Sequence, residues 1–467
     1  MLNNYQMSHL TKAGLFLFFL LLITSCGKDE DYSAYFGGQV LNPKTNYIIF
    51  SKDDKVIDTL RLDKDNRFSI KFDSLTPGLY SFKHDPDYQY VYFEQNDSIM
   101  VSIDSDDFDN SVVFSGRGEE KNNFMMELSL LHEADRENSY SIYGYEYPKF
   151  KETIDSTYEK RMEFYNKRKA AIKWSDEFDF YARSRVDLNY YTKKEYYPYV
   201  YARRTGKEIG ARLPKDFYDF RRSIDFNDPA LIHYSPYLRY LSAMLNNMSI
   251  AEGKKTGILT EVPYQNSMEK LEIADSIFTN EQVKNQVLNN IAFSYLLEDQ
   301  NIDNNKKFLD RYMKLSTDGS KDNEIRRIGN AIQELKDGTE LPEVKLVDRD
   351  NRSFDVDNIK NPTVIFFWTG CARAQLEDLY GKIKALKEDN PKVDFIAVNV
   401  DEDNEWKKVL AQEDSAGVLH LRAADFHELR DKWVITNINR TIILEPGGTI
   451  KNAFANLSDV NFEEELD

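Results

Sequence analysis

Between residues 34 and 117 apolar and polar positions alternate with period two. Leu60 and Leu62 alternate with Arg61 and Asp63, and Phe68, Ile70 and Phe72 with Ser69 and Lys71. Such alternation predicts strands with one buried face. Asp65-Asn66 and Pro77-Gly78 are turn signals between the runs, and Val91–Phe93, Ile99–Ile103 and Val112–Phe114 are further strand candidates. The expectation is a small antiparallel β-sandwich-like domain over residues 34–117.

From residue 118 to about 337 the period becomes helical. Phe150, Ile154, Tyr158, Met162, Tyr165 and Ile172 fall on one stripe, as do Val283, Val287, Leu288, Ile291 and Tyr295. Thr279 and Gln282 have capping-box spacing before the second stripe. Leu213-Pro214 and Ser235-Pro236 mark breaks. This region, 118–337, carries no fixed repeat.

In residues 338–467 strand and helix patterns alternate. Val344–Val347 and Ser353–Val356 flank the turn Asp350-Asn351, which predicts a hairpin. Val364–Phe367 is wholly apolar, as in a strand buried on both faces, and Val393–Val400 reads as another buried strand. Leu376, Leu379, Tyr380, Ile383 and Leu386 form a helix stripe between them. Thr441–Leu444 and a strand from Ile450 flank the tight turn Pro446-Gly447-Gly448. The fold class expected for the chain is multidomain α+β: a β-sandwich-like domain, a helical region and a C-terminal α/β domain.

Charge and cysteine usage narrow the function. The net charge is -18, which argues against a nucleic-acid partner. Tyr and Phe each occur 29 times, so aromatic cores are expected. Lys12 precedes the apolar run Leu15–Ile23, too short to span a bilayer, and Ile23-Thr24-Ser25-Cys26 follows. This order resembles a bacterial lipobox. It implies a signal peptide over 1–25, lipidation of Cys26 and anchoring in the cell envelope as an outer-membrane lipoprotein, periplasmic or surface-exposed. Residues 26–33, with Gly27-Lys28-Asp29-Glu30-Asp31, read as an acidic tether. The chain has two cysteines, so Cys371 is the sole free thiol once Cys26 carries lipid.

The C-terminal order, with Leu341-Pro342, Phe366-Phe367-Trp368, Val398-Asn399-Val400-Asp401, Trp406 and Trp433-Val434-Ile435 before Thr441–Leu444, resembles the thioredoxin fold. In particular it resembles membrane-anchored thiol–disulfide oxidoreductases of the TlpA/ResA type, over about 338–467. That chemistry uses two cysteines separated by two residues at a helix N-terminus. Here the stretch reads Trp368-Thr369-Gly370-Cys371-Ala372-Arg373-Ala374-Gln375. Aligned without a gap, Ala372 and Gln375 take the two positions. With a one-residue deletion, Cys371 is the nucleophile and Ala374 replaces the resolving cysteine. Where the family places a cis-proline, this chain has Asn439. The resemblance implies a thioredoxin-like lipoprotein with a degenerate site, in which Cys371 is the single catalytic candidate.

Other candidates are sparser. His9, His84, His132, His233, His420 and His427 show no metal-ligand spacing beyond the seven residues between His420 and His427, which a helix could align. Asp401-Glu402-Asp403 is an acidic loop that reads as solvated or as a cation site. Tyr190-Tyr191, Tyr196-Tyr197, Tyr199 and Tyr201 before Arg203-Arg204 could stack on sugars or grip a peptide, or simply pack helices. No nucleotide-binding or hydrolase motif is present, and no cofactor or metal is expected. The expected function is a binding or scaffold module in the envelope, with the membrane and envelope proteins, peptides or glycans as partners. The alternatives are a thiol oxidoreductase working through Cys371 alone and a surface accessory binder of sugars or peptides.

Overall fold

A computed structural model describes residues 33–53, 55–257, 262–298, 301–369, 373–401, 406–410, 417–435, 440–457 and 462–466. They fall in two compact units. One is Met1–Phe220 with His233–Tyr240, and the other is Arg221–Ile232 with Leu241–Asp467.

The first unit opens with eight strands: β1 (Ala34–Leu41), β2 (Tyr47–Lys52), β3 (Lys55–Arg61), β4 (Arg67–Phe72), β5 (Gly78–His84), β6 (Asp87–Phe93), β7 (Ser98–Asp104) and β8 (Val113–Arg117). They build two four-stranded sheets, ordered β4-β1-β7-β8 and β3-β2-β5-β6. Their inward faces share one aromatic core. Phe36 lies 5.1 Å from Phe50, 5.4 Å from Phe68, 5.6 Å from Phe82 and 5.9 Å from Phe93, between ring centroids. Burying each such ring contributes roughly 2–3 kcal/mol. One pair corrects the wholly antiparallel expectation, because β1 and β7 run parallel. The chain builds the whole second sheet before β7 returns, which supplies the long connection that parallel pairing requires. At their contact a Cβ on Gly38 would stand 2.1 Å from the Val101 carbonyl oxygen.

Three long helices follow, α1 (Glu119–Ile142), α2 (Tyr147–Ile172) and α3 (Asp176–Thr205). Ser175 caps α3 by accepting a 3.2 Å bond from the Phe178 amide, and Gly206, at φ 68°, ends it. The stripe expected on α2 is the packing face, with Phe150, Ile154 and Tyr165 buried. A fourth helix, α4 (Ser235–Thr256), contributes its first turns to this unit.

In the second unit α5 (Pro263–Ile277), α6 (Glu281–Glu298), α7 (Ile302–Leu315) and α8 (Gly319–Glu334) precede the C-terminal domain. The α6 stripe is buried as expected. Its cap is Asn280, not the Thr279–Gln282 box. The Asn280 Oδ1 accepts from the Gln282 and Val283 amides at 3.0 and 3.3 Å. An Asn one residue nearer the helix reaches those amides directly.

The C-terminal domain is a seven-stranded mixed sheet ordered β10-β9-β13-β12-β11-β14-β15. Its strands are β9 (Leu346–Val347), β10 (Ser353–Phe354), β11 (Thr363–Trp368), β12 (Asp394–Asn399), β13 (Val418–Ala423), β14 (Arg440–Leu444) and β15 (Ile450–Asn456). Helices α9 (Arg373–Asp389) and α10 (Phe426–Trp433) accompany it, with a single turn at Trp406–Leu410. β11, β12 and β13 are parallel, while β14 and β15 are antiparallel. All six β11 residues are buried, as the apolar run predicts. The Trp433 indole N–H donates to the Pro342 carbonyl at 2.7 Å, so the domain's first residues are tied to α10. The mixed fold of β-rich start, helical middle and C-terminal thioredoxin-like β/α domain is the class expected.

Candidate functional site

The C-terminal ends of β11 and β12 meet where α9 begins, and a set of short polar side chains holds them together. The Thr369 hydroxyl donates to one carboxylate oxygen of Asp401. The Asn399 amide donates to the other at 2.8 Å, and also to the Trp368 carbonyl at 3.4 Å. The Asp401 backbone amide donates back to Asn399 Oδ1 at 3.2 Å. From β13, the Arg422 Nε donates to the Asp401 carbonyl at 3.1 Å. Asn399 is fully buried, so these bonds satisfy an amide that water cannot reach. The acidic residue expected to be solvated or cation-bound is thus engaged by its own fold. Glu402 and Asp403 lie outside the described residues.

On the other side of β11, toward the same end, lies Arg440, the first residue of β14. Its Nε donates to the Ala453 carbonyl at 2.8 Å, and its Nη1 donates to the carbonyls of Trp433 and Val434. The guanidinium lies 4.1 Å from the centroid of the Phe454 ring. Val434 ends α10 with φ 53°, and Arg440 supplies a cation at the carbonyl end of that helix. Burial pushes the guanidinium pKa down to about 9, still well above neutrality, so the charge is kept. No carboxylate among the described residues pairs with it.

His420 sits on β13 with its ring buried and edge-on to Tyr380 at 6.0 Å. Neither ring nitrogen has a hydrogen-bond partner among the described residues. Burial, with the charge of Arg349 adding to it, pushes its pKa down to about 4. The helical alignment with His427 is corrected here, since His420 is on a strand and His427 in the first turn of α10. The segment Val418–Ala423 is threaded between β9 and β12, which imposes extended backbone on it.

Of the anticipated site residues, Cys26, Cys371, Ala372 and Asn439 lie outside the described residues. Ala374 and Gln375 fall in the first turn of α9. The tyrosine run lies on α3 and serves packing. The Tyr190 hydroxyl donates to Asp155 at 2.6 Å, Tyr197 to the Tyr145 carbonyl at 2.8 Å and Tyr201 to Glu146 at 2.6 Å. Tyr197 stacks on Phe150 at 3.8 Å. No group of three or more His, Cys, Asp or Glu among the described residues could hold a metal ion. No helix among them is long and apolar enough to cross a membrane.

Sequence reasoning missed β13, the Arg440 clamp and the Thr369–Asn399–Asp401 latch. A polar trio straddling two apolar strand ends was the one available signal for the latch.

Residues 360–450 match the thioredoxin-like family. Among solved structures, a thioredoxin-like protein from Bacteroides caccae shares 16% identity over 54% of this chain and 93% of its own, with TM-score 0.34. The thioredoxin domain of a thiol-disulfide oxidoreductase from Bacteroides vulgatus shares 22% over 25% of this chain and 85% of its own, with TM-score 0.21. A thiol:disulfide interchange protein from Bacteroides sp. shares 22% over 25% and 80%, with TM-score 0.21. No curated protein matches the chain.

Proposed function

We propose that this chain is a lipid-anchored envelope protein whose thioredoxin-like domain is a binding or scaffold module and not a disulfide reductase. The observation that carries this reading is a thioredoxin-like domain, residues 360–450, that holds a single cysteine. Cys371 stands just before α9, while the positions where a partner thiol would stand carry Ala372, Ala374 and Gln375.

Reducing a disulfide transfers two electrons. One thiolate attacking it expels one sulfur and leaves a mixed disulfide on the protein. A second thiol must then attack that bond, and the mature chain holds none if Cys26 carries lipid. The partners of the module are sought among envelope proteins, peptides or glycans.

Insulin reduction tests the assignment. Without added thiol the mature protein should turn over at the uncatalysed rate, and with a small thiol added Cys371→Ser should match the wild type. A rate that depends on Cys371 in the second assay would make the domain a monothiol oxidoreductase and overturn the proposal. Anchoring is tested separately: Cys26→Ser should abolish processing or release the protein from membranes, and unchanged retention would refute it.

A further inference from the structure

Away from the thioredoxin-like domain, the first unit contains a cavity of about 250 Å³ between α1, α3 and the start of α4. Its lining is cationic in a chain of net charge -18. Arg136 comes from α1, Arg185 and Lys193 from α3, and Arg239 from α4. Arg185 and Lys193 are eight residues apart on one helix, hence two turns along one face.

Among the described lining residues stand four cations and one carboxylate. The carboxylate that lines the cavity, Glu133, is paired with Arg136. Lys193 is 12% exposed, and its nearest carboxylate oxygen, on Asp135, is 3.9 Å away. Asp135 already accepts a 2.7 Å bond from Arg161. Arg185 donates through Nη2 to the Ser129 hydroxyl at 2.8 Å, while its buried Nε has no partner among the described residues. Arg239 is exposed and makes no hydrogen bond or ion pair among them. Lys193 and Arg185 are partly buried, and a desolvated cation is stabilised when an anion enters beside it. The same field acts on His132, which also lines the cavity. Burial first, and then the charges of Arg185, Lys193, Arg161 and Arg239, push its proton off.

We infer that this cavity binds a small oxyanion carrying at least two negative charges, a carboxylate or phosphate compound and not a polymer. The class follows from the donors and the size. Guanidinium forks match the paired oxygens of carboxylate and phosphate groups, and Lys193 adds a point charge. The volume equals that of on the order of eight waters, enough for a compact molecule. The Tyr143 and Tyr196 rings and Pro236 give the lining apolar surface, which suits an organic body.

Calorimetric titration of the mature protein at low ionic strength, with citrate in one arm and inorganic phosphate in the other, tests the site. We expect saturable binding of citrate with 1:1 stoichiometry. Phosphate should compete if the headgroup alone suffices, and should bind at least tenfold more weakly if the organic body contributes. Arg239→Ala removes an exposed side chain with no bond among the described residues, so the fold is kept, and affinity should drop about tenfold. Arg185→Met should abolish binding. The His132 imidazole resonance, assigned with His132→Gln, should move on titration. Absence of binding by both probes, an unchanged affinity in Arg239→Ala, or binding that leaves the His132 signal in place would each overturn the proposal.

Discussion

The imidazole of His420, buried and without a hydrogen-bond partner among the described residues, makes a prediction about acid stability that can be worked through. Its folded pKa, about 4, lies below the ordinary value of 6.5. As pH falls, the unfolded chain therefore takes up the proton first. The stability at stake is complete above pH 6.5 and is lost as pH falls toward 4. Linkage puts the loss at about 2 kcal/mol at pH 5 and about 3 kcal/mol at pH 4. His420→Leu removes this term and also removes two buried ring nitrogens without partners, so the variant should be about 1–2 kcal/mol more stable than wild type at neutral pH. The assay is guanidinium unfolding followed by tryptophan fluorescence at pH 7 and pH 5. A Trp174→Phe background leaves Trp368, Trp406 and Trp433 as reporters, all in the C-terminal domain. The other histidines and some carboxylates also titrate in this window, but equally in both proteins, so the difference isolates His420. If wild type and variant lose the same stability between the two pH values, the imidazole is not held neutral by burial and the reasoning fails.

Three further substitutions test the packing argument. Arg440→Met keeps the alkyl stem but strands the carbonyls of Trp433, Val434 and Ala453; the C-terminal domain should lose about 3 kcal/mol in chemical denaturation. Gly38→Ala drives a Cβ to 2.1 Å from the Val101 oxygen, which backbone must move to relieve; loss of more than about 2 kcal/mol, or failure of the β-sandwich to fold by far-UV circular dichroism, is expected. The Lys121 ammonium lies 2.7 Å from Glu94 and 3.5 Å from Asp97, whose carboxyl burial pushes upward. Lys121→Met should cost about 3 kcal/mol by leaving Asp97 buried without its cation, and adding Asp97→Asn should recover part of that loss in a thermal melt.

What the sequence alone determined were the elements whose signal is local. Phe68-Ile70-Phe72, the α6 stripe from Val283 to Tyr295 and the apolar run Val364–Phe367 each report their own burial, because period and composition are set within one element. The cysteine count and the residues around Cys371 are likewise facts of sequence, and the proposed loss of two-thiol chemistry rests on them. The tertiary structure decided what depends on distant partners. β13 was illegible because His420 and Arg422 interrupt its apolar residues, and only the flanking strands β9 and β12 make it extended. The parallel pairing of β1 with β7 joins segments about sixty residues apart, beyond any turn signal. Arg440 reads as one more charged residue until the fold brings the end of α10 and the carbonyl of β15 onto its guanidinium. The cationic cavity has the same origin. Arg136, Arg185, Lys193 and Arg239 are scattered over three helices, each ordinary on a solvated face, and only the packing of those helices brings them around one cavity.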